Sequence, residues 1–170
     1  LKKYANENGV KIIGDIPIYV SYDSADVWCN PSQFDLNKEL LPKMVAGCPP
    51  DEFSEKGQLW GNPLYNWSAM KKEADPYSWW CRRIKSTLKI YDVIRIDHFR
   101  GFESYYAIPY GADDATDGKW KKGPGSQFFE YLNDKFEDLP IIAEDLGFMT
   151  DEVKKMLTAS GYPGMKVLEF

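Results

Sequence analysis

Two rhythms of apolar and polar positions alternate along the chain. Residues 10–20 and 93–98 and the short run 141–144 are β-branched and apolar, broken by single charged positions, which predicts strands. Between them lie segments with helical spacing. A helix is predicted over residues 1–8, with Gly9 as its stop signal. Asp75-Pro76 predicts the next start, an acidic cap followed by Pro in the first turn, for a helix running to about Leu88. Helices are also predicted over 127–136 and 151–159, the latter ended by Gly161, and Gly164 opens a last strand expected to run to Phe170. Residues 21–75 follow neither rhythm. They are rich in Pro, Gly, Asn and aromatics, and predict loops and short helices over one end of the domain.

Helix–strand repetition predicts parallel βα units with right-handed crossovers. Two architectures fit, an open doubly wound sheet and part of a (β/α)₈ barrel. A whole barrel takes about 250 residues, so four units predict a piece of one. The expected fold class is therefore α/β: a partial (β/α)₈ barrel of about four parallel strands, with a long loop-rich insertion after the first. No glycine-rich phosphate-binding turn follows any strand, which counts against a nucleotide-binding open sheet.

Composition narrows the partners. The net charge is -5 and Lys and Arg are not clustered, so no nucleic acid partner is expected. No apolar run has membrane-spanning length, and no membrane partner is expected. The start, Leu1-Lys2-Lys3-Tyr4-Ala5, has neither a Met nor an apolar signal core and reads as the middle of a longer chain. Cys29, Cys48 and Cys81 are odd in number and lack metal spacing, predicting free thiols in a reducing compartment: cytoplasm, or a plastid in a plant or alga. Asp113, Asp114 and Asp117 do not match a calcium loop, so they predict a solvated turn. No metal and no cofactor are expected. Residues 119–125 predict a surface loop, and Tyr77, Trp79 and Trp80 a core-facing helix stripe.

Each of the first three strands ends in a carboxylate: Asp15, Asp97 and Glu144. In a βα barrel the C-terminal strand ends form the mouth of the active site, so these acids are expected to converge. Strand alternation puts Arg95 on the face of Asp97, where a cation favours the ionised carboxylate. Glu144 follows apolar residues and is expected to keep its proton longer. Two carboxylates of unequal acidity are what glycosidic bond cleavage needs. Taken singly, each acid also reads as an ordinary helix cap.

The residues are more specific than their spacing. Arg95-Ile96-Asp97-His98-Phe99-Arg100-Gly101-Phe102 resembles the nucleophile segment of the amylomaltase, or 4-α-glucanotransferase, family of the α-amylase clan. Ile142-Ala143-Glu144-Asp145-Leu146-Gly147 resembles its acid/base segment, and Gly14-Asp15-Ile16-Pro17-Ile18-Tyr19-Val20 its third-strand signature. The runs SADVW from Ser24, VAGCPPDEF from Val45 and GQLWGNPLY from Gly57 are similar to the same family. These motifs cover nearly the whole chain in order. The resemblance implies that Asp97 forms the glycosyl ester and Glu144 serves as acid and base. It implies that Arg95 supports Asp97, that Asp15 lines the site, and that Asp51, Gln58 and Trp60 sit on a loop over the glucan cleft. Asn62 and His98 match motif positions and are assigned to binding. Trp60 is expected to stack on sugar, Tyr65 and Trp67 to pack within the loop. Residues 1–170 would then be one catalytic-barrel fragment, with 21–75 as the insertion covering the cleft.

The family's third carboxylate, in a His-Asp pair, has no counterpart here. His98 is the sole histidine and is followed by Phe99. The third acid is expected beyond Phe170, and the 170-residue piece is expected to be inactive alone. The function expected of the parent protein is retaining transfer of α-1,4-glucan segments between maltooligosaccharides. The alternatives are a hydrolytic α-amylase-type glycosidase and a noncatalytic glucan-binding fragment that self-associates through exposed barrel edges.

Overall fold

The computed structural model describes residues 1–168. In chain order the elements are α1 (Lys2–Glu7), β1 (Ile13–Ile16), α2 (Ala25–Cys29), β2 (Met44–Cys48), β3 (Gln58–Pro63), α3 (Trp67–Lys71) and α4 (Ser78–Leu88). There follow β4 (Val93–Ile96), β5 (Ser104–Pro109), β6 (Lys119–Lys122), α5 (Ser126–Lys135), β7 (Ile141–Ala143) and α6 (Asp151–Ser160). They form two compact units. The first holds Leu1–Ile18, Tyr77–Glu103 and the chain from Pro124 onward; the second holds Tyr19–Pro76 and Ser104–Gly123.

The first unit is a parallel sheet in the order β1-β4-β7. Its register sets Asp15 beside Arg95, and Arg95 beside Ile142. One face, with Ile16, Ile94, Ile96, Ile141 and Ala143, is buried. It is backed by helix residues at helical spacing: Trp80 and Ile84 of α4, Phe128, Phe129 and Leu132 of α5, Val153 and Met156 of α6. Aromatic rings fill this layer, with Phe102 stacked on Phe128 at 5.2 Å and Phe99 on Phe129 at 4.7 Å. The other face holds Ile13, which is 60% exposed, and then the charged residues of the strand ends. Parallel strands are normally covered on both faces. A sheet with helices on one side and an open inner face is what part of a (β/α)₈ barrel looks like.

Three strands, not four, make this sheet among the described residues. Residues 164–168 form no strand; they are held by individual hydrogen bonds instead, and the rest of that predicted strand lies outside the described residues. Helix α4 begins at Ser78 rather than at Pro76, because Tyr77 takes a left-handed conformation (φ 54°). Its ring is buried edge-on against Phe128 at 5.0 Å and Tyr131 at 5.7 Å, and that packing overrides the local start signal. Tyr77, Trp79 and Trp80 are buried as expected.

The second unit is more regular than the loops and short helices expected for residues 21–75. It contains an antiparallel sheet in the order β3-β2-β5-β6, closed by residues 104–122 from later in the chain. Lys119–Lys122, expected in a loop, is the edge strand β6, exposed at all four positions. Val45, Tyr106, Ile108 and Ala115 form a small core here. Asp114 accepts from the Thr116 amide at 3.0 Å, so the Asp113–Asp117 stretch is a hydrogen-bonded turn. Among the described residues no group of His, Cys, Asp and Glu could hold a metal, and no helix is long and apolar enough to cross a membrane. All three cysteines are free.

Candidate active site

The strand ends of the first unit bring five of the predicted residues together: Asp15, Arg95, Asp97, His98 and Glu144. The ladder explains how. Asp97 and Glu144 are the next positions after the paired residues Ile96 and Ala143, so they sit side by side on neighbouring strands. The Glu144 N–H donates to Ile96 O at 3.0 Å and the Asp97 N–H to Ile16 O at 2.9 Å, carrying the sheet one residue past its formal end. Neighbouring strands lie about 4.8 Å apart, which fixes the scale of the site.

Arg95 is the electrostatic centre. Its Nη1 is 2.6 Å from Asp15 Oδ1 and 2.9 Å from Asp97 Oδ1. Asp15 and Asp97 share a face because their strands are in register and alternate side chains point the same way. The Arg95 side chain is 25% exposed against 42% for Asp97 and 58% for Asp15, so the cation lies beneath the two acids. Burial works against its charge, but the bonds to Asp15 and Asp97 outweigh this and raise its pKa further above an already high value. Arg95 therefore stays cationic and holds Asp97 by one oxygen.

Glu144 is fixed by backbone donors. The His98 N–H donates to Oε2 at 2.9 Å and the Leu146 N–H to Oε1 at 2.8 Å. His98 makes this possible by adopting the left-handed conformation (φ 53°), which is uncommon outside Gly but enriched for His. In a regular ladder its amide would serve the Glu144 carbonyl; here the Phe99 N–H takes that carbonyl at 3.2 Å, releasing the His98 amide for the side chain. Gly101 is required by the same turn, since a Cβ there would press on Ile18 and the His98 ring. Each Glu144 oxygen keeps a second lone pair, which can accept from a substrate hydroxyl or carry the proton to be given to a bridging oxygen.

The His98 imidazole is pushed down to about 4, first by burial and then by the Arg100 cation, with Asp97 opposing. The ring is neutral at pH 7. The sign of the pH effect follows. An unfolded His98 takes a proton below about 6.5, whereas the folded one does not until about 4. Its contribution is complete above 6.5 and is lost progressively as pH falls from 6.5 to about 4. Between pH 6.5 and 5 this costs about 1 to 2 kcal/mol. In urea titrations of the full-length protein, His98→Asn, which tolerates the same backbone, is expected to remove that part of the slope. An unchanged slope would show the imidazole to be solvated.

The remaining four predicted residues lie in the second unit. Asp51 Oδ1 accepts from the Phe53 and Ser54 amides at 2.9 and 2.8 Å and shapes its own turn. Asn62 Nδ2 donates to Val20 O at 2.9 Å. Gln58 Oε1 accepts from Trp60 Nε1 at 3.0 Å, and the Trp60 ring, 36% exposed, tilts against Tyr19 at 6.4 Å. Tyr65 is packed, between Phe34 and Trp67. Two residues beside the carboxylates were not singled out from the sequence: Asp145, whose Oδ1 accepts from the Met165 amide at 2.7 Å, and Met165, whose Sδ accepts from Arg95 Nε at 3.2 Å. The one available signal was the acid directly after Glu144.

Parallel βα units, an arginine that braces two carboxylates and a third carboxylate on the next strand define part of a (β/α)₈-barrel protein with an acidic rim. The family model described as 4-alpha-glucanotransferase, glycoside hydrolase family 77, matches residues 1–170, and the chain belongs to that family. A 4-alpha-glucanotransferase of Streptococcus pneumoniae serotype 4 is 55% identical over 170 residues, covering 100% of this chain and 33% of that protein. The chloroplastic/amyloplastic 4-alpha-glucanotransferase of Arabidopsis thaliana is 51% identical over 170 residues, all of this chain and 29% of that one. The solved amylomaltase from Streptococcus agalactiae in complex with acarbose superposes with a TM-score of 0.94 at 49% identity, covering 99% of this chain and 34% of that chain. The chain thus spans about a third of the length of the curated relatives it matches.

Proposed function

We propose that the protein containing this chain transfers α-1,4-glucan segments between maltooligosaccharides with retention, through a covalent ester on Asp97 and with Glu144 as acid and base. The observation that supports this most is the pairing at the rim: Asp97 held by Arg95 through one oxygen, beside a Glu144 fixed by two backbone amides. In the first step the Glu144 carboxyl gives its proton to the glycosidic oxygen while Asp97 Oδ2 attacks the anomeric carbon. The bond to the leaving glucan breaks and the ester forms. In the second step the Glu144 carboxylate takes the proton of an acceptor hydroxyl, whose oxygen displaces Asp97. Arg95 neutralises the site when Asp97 regains its charge. Neutral His98 is suited to bond a sugar hydroxyl. In the second unit Trp60 offers a ring face to a sugar, and Asp51, Gln58 and Asn62 join it in substrate binding or in shaping the strand that does so.

Among the described residues β1 and β7 are the edges of the parallel sheet, and these are where the rest of the barrel pairs. In the isolated chain the same edges favour pairing between copies, and a third carboxylate would be lacking, so the piece alone is inactive. A reducing compartment, cytoplasm or plastid, suits its three free thiols.

Incubating the full-length protein with maltotriose tests the reading. Transfer yields glucose and a ladder of longer products at a constant number of reducing ends. A rising reducing-end count would instead assign a hydrolase, and no product at all a binding protein.

A further inference from the structure

Arg95 has three directional commitments, and the proposed ester chemistry uses only two of them. Nη1 serves Asp15 and Asp97. Nε donates to the thioether of Met165 at 3.2 Å. Sulfur of this kind is a weak acceptor, so it does not draw a guanidinium across a site by itself; the backbone has to put it there. That placement is built by the chain around it. Pro163 O accepts from the Ala143 N–H at 2.9 Å, tying the segment to the end of β7. The Met165 N–H donates to Asp145 Oδ1 at 2.7 Å. A side chain at Gly164 would run into the Asp145 carboxylate, so the strap passes directly over that acid. Asp145 is the residue after Glu144, and one short segment thereby ties Arg95 to the chain that follows Glu144.

The acceptor's chemistry suits the position. Asp15, Asp97 and Glu144 already crowd this rim with negative charge. A fourth anion at Nε would compete for the guanidinium and weaken its hold on Asp97. A neutral, polarisable thioether occupies the third donor without adding charge.

We propose that Met165 is a positioning residue for Arg95, fixing the guanidinium plane through Nε while Asp15 and Asp97 hold Nη1, with Asp145 as the anchor that delivers it. This rests on the reading of Asp97 as nucleophile. Its consequence is kinetic: a guanidinium free to swing still neutralises the site on average but no longer presents Asp97 in one orientation.

The test uses the full-length protein with Met165→Leu, which keeps the volume and removes the acceptor, and Met165→Gln, which restores one. Expected for Met165→Leu is about a tenfold fall in kcat for transfer from maltotriose, with KM and the thermal midpoint unchanged. Met165→Gln is expected to recover kcat to within about threefold. The Arg95 Nε–H resonance in a ¹⁵N spectrum, assigned by its loss in Arg95→Lys, is expected to move in the Leu variant and return in the Gln variant. An unmoved resonance with unchanged kcat in Met165→Leu overturns the proposal. So does a kcat loss that the Gln variant shares together with a lower thermal midpoint, which would make Met165 a packing residue. If the wild-type protein transfers no glucan, the functional reading fails by itself, and the resonance still decides whether Met165 holds Arg95.

Discussion

Replacing Asp97 with Asn lowers glucan transfer by the full-length protein about 10⁴-fold or more, because the amide cannot form the ester and no second carboxylate shares its oxygen position. The fold is expected to survive. Asn fills the same volume, the Asp97 amide still donates to Ile16 O, and Arg95 keeps Asp15. Mass spectrometry separates loss of chemistry from loss of structure. A fluorinated glycosyl donor that forms the ester but releases it slowly should add one glycosyl unit to the wild-type protein, on the peptide containing Asp97, and none to the variant. Labelling elsewhere, or a variant that retains more than about a hundredth of the activity, would remove Asp97 from the reaction.

Glu144→Gln gives the second large loss, about 10³-fold with maltotriose, and its pattern is more informative than its size. A glycosyl fluoride donor needs no protonation to depart, so with it the first step should fall by no more than about tenfold. Azide, a nucleophile that needs no base, should then release the ester faster than a sugar does. Equal losses with both donors would mean that Glu144 acts in binding rather than in proton transfer. The geometry adds one complication with a definite sign. Both carboxylate oxygens accept from backbone amides, those of His98 and Leu146. The NH₂ group of Gln cannot accept, so one amide loses its partner at a cost of about 1 to 3 kcal/mol. A lower unfolding midpoint should therefore accompany the kinetic change.

Both predictions rest on residues that the amino-acid sequence itself makes legible. Arg95 and Asp97 stand two apart in a strand, so alternation alone puts them on one face, and the structure has them 2.9 Å apart. Asp15 in β1 and the acids that follow β4 and β7 were legible because parallel strands with one buried face carry a strong period-two signal, as in Val93–Ile96. Other parts left no such trace. In β6 every position is exposed, so Lys119–Lys122 has no alternation to read and exists only through its pairing with β5. In the same sheet β2 pairs with β5, about sixty residues later, and no local pattern announces so distant a partner. Asp75-Pro76 announced a helix start that Tyr77 cancelled by burying its ring.

The amino-acid order alone determined the βα alternation, the buried faces, the family and the placing of Asp15, Asp97 and Glu144 at the strand ends, because these depend on residue type and on spacing within one element. Tertiary structure alone decided how each acid is mounted. The left-handed turn of His98 that hands its amide to Glu144, the Asp15 partner of Arg95 and the thioether on its Nε all join residues 46 to 80 positions apart. Such contacts follow from strand register and from helix packing behind the sheet. Neither is written in any one segment, since each arises only when separate segments meet.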